Sequence, residues 1–226
     1  MMSSFHKMGG VAALVQAATF VVGGALFLGV LGSAGFYDAG IDPVQKVAIL
    51  ADNQAVAMVG YLTAFVAWGV FQVVLALALY ERLKTGASGL AQTGAAIGLI
   101  LAGVGIVYGM IAIVGIESVV GLQSADPERA GTVWLGVESI ELTKNEILSG
   151  LWLLLVSWAA LRVHELSKVL NAFGVVLGVL GILTVIPVFD VLVYAFGPGI
   201  IVWYVWLGIL MLRSLPRHES RKPAVL

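Results

Sequence analysis

LAQTGAAIGLILAGVGIVYGMIAIVGI, running from Leu90 to Ile116, carries no charged side chain. A bilayer core about 30 Å thick is crossed by roughly 20 helical residues, and this run exceeds that length. Five further uncharged runs flank it: Gly10–Leu31, Ala55–Tyr80, Ile147–Leu161, Leu170–Phe189 and Pro198–Leu212. The fourth and sixth spans in chain order are short and are expected to borrow turns from their flanks. Backbone polar groups in lipid must be satisfied within the segment, so these runs predict helices. The alternating segments of an outer-membrane barrel are missing.

The composition agrees. Hydrophobic residues make up 60% of the 226-residue chain and charged residues 11%, against about 25% charged in soluble domains. The expected fold is therefore an all-α integral membrane bundle of six transmembrane helices, in one domain over residues 1–226, with short amphipathic helices outside. The net charge of −1 gives no argument for a nucleic-acid partner. The absence of cysteine excludes disulfides, thiolate metal sites and a cysteine nucleophile.

Orientation follows from the basic residues. Lys7, Arg82, Lys84, Arg162, Lys168, Arg213, Arg217, Arg221 and Lys222 fall on the side of the N-terminus. Lys46, Arg129 and Lys144 fall on the other. The positive-inside rule then puts both termini in the cytoplasm of a bacterial inner membrane. The first run is longer than the apolar core of a secretory signal, so it is expected to stay as a span.

Between spans, IDPVQKVAILADNQ predicts a short outer helix. Asp42 can cap it, Pro43 suits its first position, and Val44, Val47, Ala48 and Ala51 share a face. Asp126 and Pro127 in SADPERAG start another helix in the same way. Gly94/Gly98, Gly105/Gly109 and Gly174/Gly178 are small-x-x-x-small pairs, expected to pack helices within the chain. Pro187 is expected to fray or bend the end of span five, and Pro198 to open span six. Trp203, Tyr204 and Trp206 read as an interfacial aromatic belt.

Two readings stand for residues 132–162. One long helix would put Glu138, Glu141 and Asn145 on one face. Alternatively, Thr143 and Glu146 form a capping box that starts a separate helix. Both put the acids at the outer water interface. Glu117 ends span three in a similar setting, so Glu117, Glu138 and Glu141 are the candidate cation or cationic-ligand cluster. Inside the spans, Gln16, Gln72 and Tyr108 are the candidate lining for a neutral ligand; their ordinary role is interhelical hydrogen bonding.

No Asp, Glu, Lys or Arg falls mid-span, which weakens a proton pump, voltage sensor or charge-relay transporter. No histidine pair for haem, nucleotide-binding loop or nucleophile elbow is present. No catalytic residue, metal site or cofactor is therefore expected. The leading expectation is a non-catalytic structural, ligand-binding or accessory subunit. Its partners would be the lipid bilayer and a membrane protein or a second copy. The alternatives are a small transporter for a neutral or lipophilic molecule, and a membrane enzyme using the outer carboxylates. The enzyme requires carboxyls within about 10 Å of each other in a cleft.

VLALALYERLK ending span two, VLNAFGVVLGVLG opening span five and the final VWLGILMLR resemble a bacterial multi-pass family, domain of unknown function 4386. The resemblance covers roughly Ala55 to Arg213. It implies a multi-pass architecture and an inner-membrane location, and no functional residue. The chain departs from the pattern at LSKVLNAF, where a proline and an aromatic are expected, and at GPGIIVWY, where a glutamate is expected.

Overall fold

A computed structural model describes residues 2–140 and 145–213. Within them every regular element is helical and no strand occurs. Helix α1 (Met2–Gly24) continues as a π-helical stretch, Ala25–Leu31. Short α2 (Pro43–Asp52) follows. Then α3 (Gln54–Tyr61), a second π-helical stretch (Leu62–Ala67) and α4 (Trp68–Leu83) run on from one another. After them come α5 (Ser88–Gln123), α6 (Pro127–Ile140), α7 (Asn145–Arg162) and α8 (Lys168–Leu183). A 3-10 turn, Pro187–Leu192, leads into α9 (Val193–Arg213).

Among the described residues, four stretches are long and apolar enough to cross a membrane: Phe5–Leu31, Gln54–Leu83, Ser88–Gln123 and Pro187–Arg213. Helix α7 has 18 residues and α8 has 16. At 1.5 Å per residue they reach only about 27 Å and 24 Å.

Local chemistry fixes the short helices as expected. Asp42 Oδ1 accepts from the Val44 N–H at 2.7 Å, and Pro43 occupies the first helical position. Asp126 Oδ1 accepts from the Arg129 N–H at 3.1 Å, ahead of α6. Residues 141–144 lie outside the described residues, and with them the choice between one helix and two and the proposed Thr143 cap.

The span ends differ from expectation at three places. Helix α8, where span five is expected, stops at Leu183 rather than Phe189. Pro187 lies beyond that helix and opens the 3-10 turn. Span six begins at Val193, so Pro198 sits inside α9 instead of starting it. A proline near a helix start loses few bonds, because the first four N–H groups have no intrahelical partner anyway. Pro198 lies just past that turn.

The chain divides into two compact units. Among the described residues, one comprises 2–17, 71–102 and 145–213, and the other 18–70 and 103–140. In the first unit α7 and α8 form a tight hairpin. A Cβ on Gly178 would lie 2.8 Å from Gly150 O, and one on Gly150 would lie 2.6 Å from Gly178 O. The backbones therefore touch, as close membrane packing requires of small residues. Gly10 and Gly208 bring α1 and α9 together in the same reciprocal way, with Cβ-to-carbonyl distances of 3.1 and 2.9 Å.

In the second unit the core is Leu31, Phe36, Val47, Leu50, Ala57, Tyr61, Tyr108, Ala112, Ile116, Val119, Ala130 and Trp134. Helix α2 buries Val47 and Leu50 there and packs on α6. It is thus held by protein on this face, a firmer anchorage than lying on a lipid surface alone. Gly131 permits the approach, because a Cβ there would be 3.1 Å from Val44 N. The expected intramolecular role of the glycine pairs holds. Gly94 faces Val156, Gly98 faces Trp152 and Ala76, Gly105 faces Trp68, and Gly109 faces Val66 and Phe65.

Candidate functional site

The three outer acids have different fates. Glu138 is taken by Lys46, whose Nζ lies 2.7 and 2.9 Å from its two carboxylate oxygens. The same ammonium stands 5.3 Å from the Phe36 ring centroid, a cation–π contact that further fixes it. Glu117 is exposed within α5, which runs on past it to Gln123. Glu141 lies outside the described residues. Among the described residues no group of three His, Cys, Asp or Glu could hold a metal ion.

The uncharged candidates are all buried, and they fall in separate units. Tyr108 belongs to the second unit. Its ring packs edge-on to Phe65 at 4.8 Å and to Tyr61 at 5.9 Å, and Tyr61 meets Phe27 at 4.9 Å. Phe27 and Phe65 lie in the two π-helical stretches. Such stretches are rare and tend to be kept where local rearrangement serves function. Neither carries a sequence signal that announces it.

Gln16 and Gln72 belong to the first unit, both fully buried. Tyr204 donates to Gln72 Oε1 at 3.4 Å. Its ring stands among Trp203 at 5.6 Å and Trp152 at 6.4 Å, and the two indoles meet edge-on at 5.7 Å. Trp203 and Tyr204 are thus core residues rather than an interfacial belt; Trp206 is half-buried. The buried face of α9 runs Phe196, Ile200, Trp203, Tyr204, Leu207 and Met211, at helical spacing. A Cβ on Gly174 would meet Ser157 Oγ, and would be 2.7 Å from Trp203 Nε1. Gln72 Nε2, Trp152 Nε1, Trp203 Nε1 and Ser157 Oγ find no hydrogen-bond partner among the described residues. The cluster is uncharged and rich in donors. It offers no acid or base for proton transfer.

Sequence reading missed an ion pair in the first unit. Arg82 Nε donates to Glu165 Oε2 at 2.9 Å, and the two side chains are only 3% and 9% exposed. The loop is shaped to bring Glu165 inward. After α7, the His164 N–H reaches Leu161 O at 3.3 Å and the Glu165 N–H reaches Ala160 O at 3.0 Å. That is a Schellman end, with His164 in the left-handed position usually held by glycine. His164 has φ 56° and Leu166 φ 60°, both costly for a side chain with a Cβ. Asn171 Nδ2 then donates to Glu165 O at 2.9 Å, tying the loop to α8. One signal was available: the turns at YERLK and RVHELSK, expected on the same side, each carry charges of both signs. Next to this pair, Glu81 accepts from Lys84 at 2.7 Å. That hydrogen bond raises the Lys84 pKa above its ordinary value, against a smaller opposing effect of desolvation. The raised value favours folding below the ordinary lysine pKa, and the effect is lost as pH rises past the raised one. The pair is too exposed to matter for stability.

No protein-family model, curated protein or solved structure matches the chain. The resemblance to domain of unknown function 4386 rests on the three quoted segments alone.

Proposed function

We propose that the chain is a six-span protein of a bacterial inner membrane, with both termini cytoplasmic, that binds a neutral molecule without transforming it. The observation that carries the binding reading is the buried donor cluster of Gln72, Trp152, Ser157 and Trp203 beside Tyr204. Buried polar groups are costly to leave unmade, at about 1–3 kcal/mol each. Uncharged donors among indole rings suit a lipophilic ligand with carbonyl or ether oxygens.

Support for α7 and α8 as full spans comes from their connecting turn. It abuts the turn between α4 and α5: Arg82 pairs with Glu165, and a Cβ on Gly86 would be 2.6 Å from Val163 Cγ1. Two turns in contact lie on one side of a membrane. Transport of the neutral molecule is the second reading, favoured by the paired π-helical stretches around Phe27, Tyr61, Phe65 and Tyr108. The enzyme reading has lost Glu138 to Lys46.

The test has two parts. Since the chain has no cysteine, single cysteines can be introduced at Thr85, Ser124 and Lys168 and probed with an impermeant maleimide on intact cells. Six spans require Ser124→Cys to react and Thr85→Cys and Lys168→Cys to be shielded; a reactive Lys168→Cys would end that topology. Native mass spectrometry of the full chain from mild detergent should then find one neutral adduct that Gln72→Leu releases. A bare chain, or an adduct indifferent to Gln72→Leu, overturns the binding reading.

A further inference from the structure

Helix α5 presents Gly103, Val107, Met110, Val114, Ser118 and Gly121 at spacings of three and four, so they share one face. Val107, Met110 and Val114 are 56%, 57% and 59% exposed, and Gly103 and Gly121 have open space where a Cβ would be. From Gly103 to Ser118 this face is about 22 Å long, more than the roughly 15 Å of one leaflet's share of the hydrocarbon core. Beside it α6 forms the second wall. Met110, Ile111, Val114, Gly115, Ser118, Val133 and Val137 enclose a groove of about 470 Å³. Gly115 makes its floor, since a Cβ there would meet Val137 Cγ2 at 2.8 Å. The groove's one hydroxyl, on Ser118, is already spent on Val114 O at 2.8 Å. An occupant along this length is therefore hydrocarbon.

One end of the groove is charged. Arg129 precedes Val133 by one turn on the same stripe of α6. It is exposed and forms no ion pair among the described residues. Glu117, Asp126 and Glu128 are exposed at the same end. One cation amid three carboxylates suits a zwitterion better than an anion. We propose that this groove seats an acyl chain of one phosphatidylethanolamine-type lipid, with its phosphate on Arg129 and its ammonium among the carboxylates. The proposal rests on the reading that the chain lies in a membrane. It assigns a site separate from the donor cluster of the first unit.

The probe is palmitoyl-oleoyl phosphatidylethanolamine, offered in competition with the matching phosphatidylglycerol to the full chain in mild detergent, with bound lipid counted by native mass spectrometry. The wild type should keep one ethanolamine lipid per chain. Val114→Trp, which fills the groove, and Arg129→Gln, which removes the phosphate partner, should each weaken retention about tenfold, the scale of one charge-assisted contact. Met110→Phe narrows the same groove more gently and stands in if Val114→Trp does not fold. Val21→Trp, at an exposed position on α1, should leave retention unchanged. Several lipids bound without headgroup preference would overturn the proposal. So would retention indifferent to the groove and Arg129 variants, or preference for phosphatidylglycerol. Failure of the membrane reading is seen separately, as chain in the soluble fraction of cells lysed without detergent.

Discussion

Glycine does two opposite things in this chain, and a Cβ distinguishes them. Gly174 sits where a methyl group would run into Ser157 Oγ and Trp203 Nε1, both buried. Gly136, mid-way along α6, has open space at the same position. Gly174→Ala should therefore destabilise by about 1–3 kcal/mol, the range for forcing a packed core apart. Gly136→Ala should stabilise by about 0.5–1 kcal/mol through backbone entropy and helix propensity. Thermal unfolding in detergent reads both, and equal effects would mean that the α7–α8–α9 packing around Gly174 is wrong. The buried ion pair gives a second residue-scale test. Removing one partner, as in Arg82→Ala or Glu165→Ala, leaves a charge without its counter-ion and should cost about 3–5 kcal/mol. Replacing both with apolar residues, as in Arg82→Met with Glu165→Leu, should restore most of that loss. If the double variant is as unstable as the singles, the pair is not the source of the cost.

Among the elements, ends set by local chemistry were legible in the sequence and ends set by packing were not. Asp42 with Pro43, and Asp126 with Pro127, start α2 and α6 because a carboxylate reaches a free N–H two or three residues on. Helices α8 and α9 are apolar on every side, so no periodicity tells where they stop or which face turns inward. Hence the sequence suggests a helix start at Pro198 and a belt at Trp203 and Tyr204, where the structure has a helix interior and a core. The glycine pairs were legible because close backbone approach demands small residues. Gln16, Gln72 and Tyr108 could be picked out as rare polar groups in apolar runs, but their neighbours could not. The Arg82–Glu165 pair joins residues 83 apart in the chain, a distance no local pattern reports. The loop that holds it is itself testable. His164 occupies a left-handed position, so His164→Gly should stabilise by about 0.5–1 kcal/mol and His164→Val should destabilise. A destabilising glycine there, measured by the same unfolding assay, would argue against the Schellman end of α7.

At the scale of the whole molecule, length is the property that matters. Phe5–Leu31 has 27 residues, Gln54–Leu83 has 30 and Ser88–Gln123 has 36. At 1.5 Å per residue these reach about 40, 45 and 54 Å, against a hydrocarbon core near 30 Å. Part of the excess is polar at the ends: Glu81 and Arg82 near the end of α4, and Glu117 six residues before the end of α5. The uncharged run Leu90–Ile116 would still measure about 40 Å. A helix longer than its bilayer tilts or thickens the lipid around it, at a cost of fractions of a kcal/mol per Å. Several such helices in one chain add those costs with the same sign. Stability in vesicles should therefore rise as acyl chains lengthen from fourteen to twenty carbons, with the melting temperature increasing by several degrees. As the two further spans proposed above, the short α7 and α8 would have the opposite preference, but they are held to each other by backbone contact at Gly150 and Gly178. Their hairpin can meet a thicker bilayer through flanking residues such as Arg162 and Lys168, whose long stems reach toward the headgroups. A melting temperature that falls with chain length would mean that the short hairpin, not the long helices, sets the thickness this protein fits.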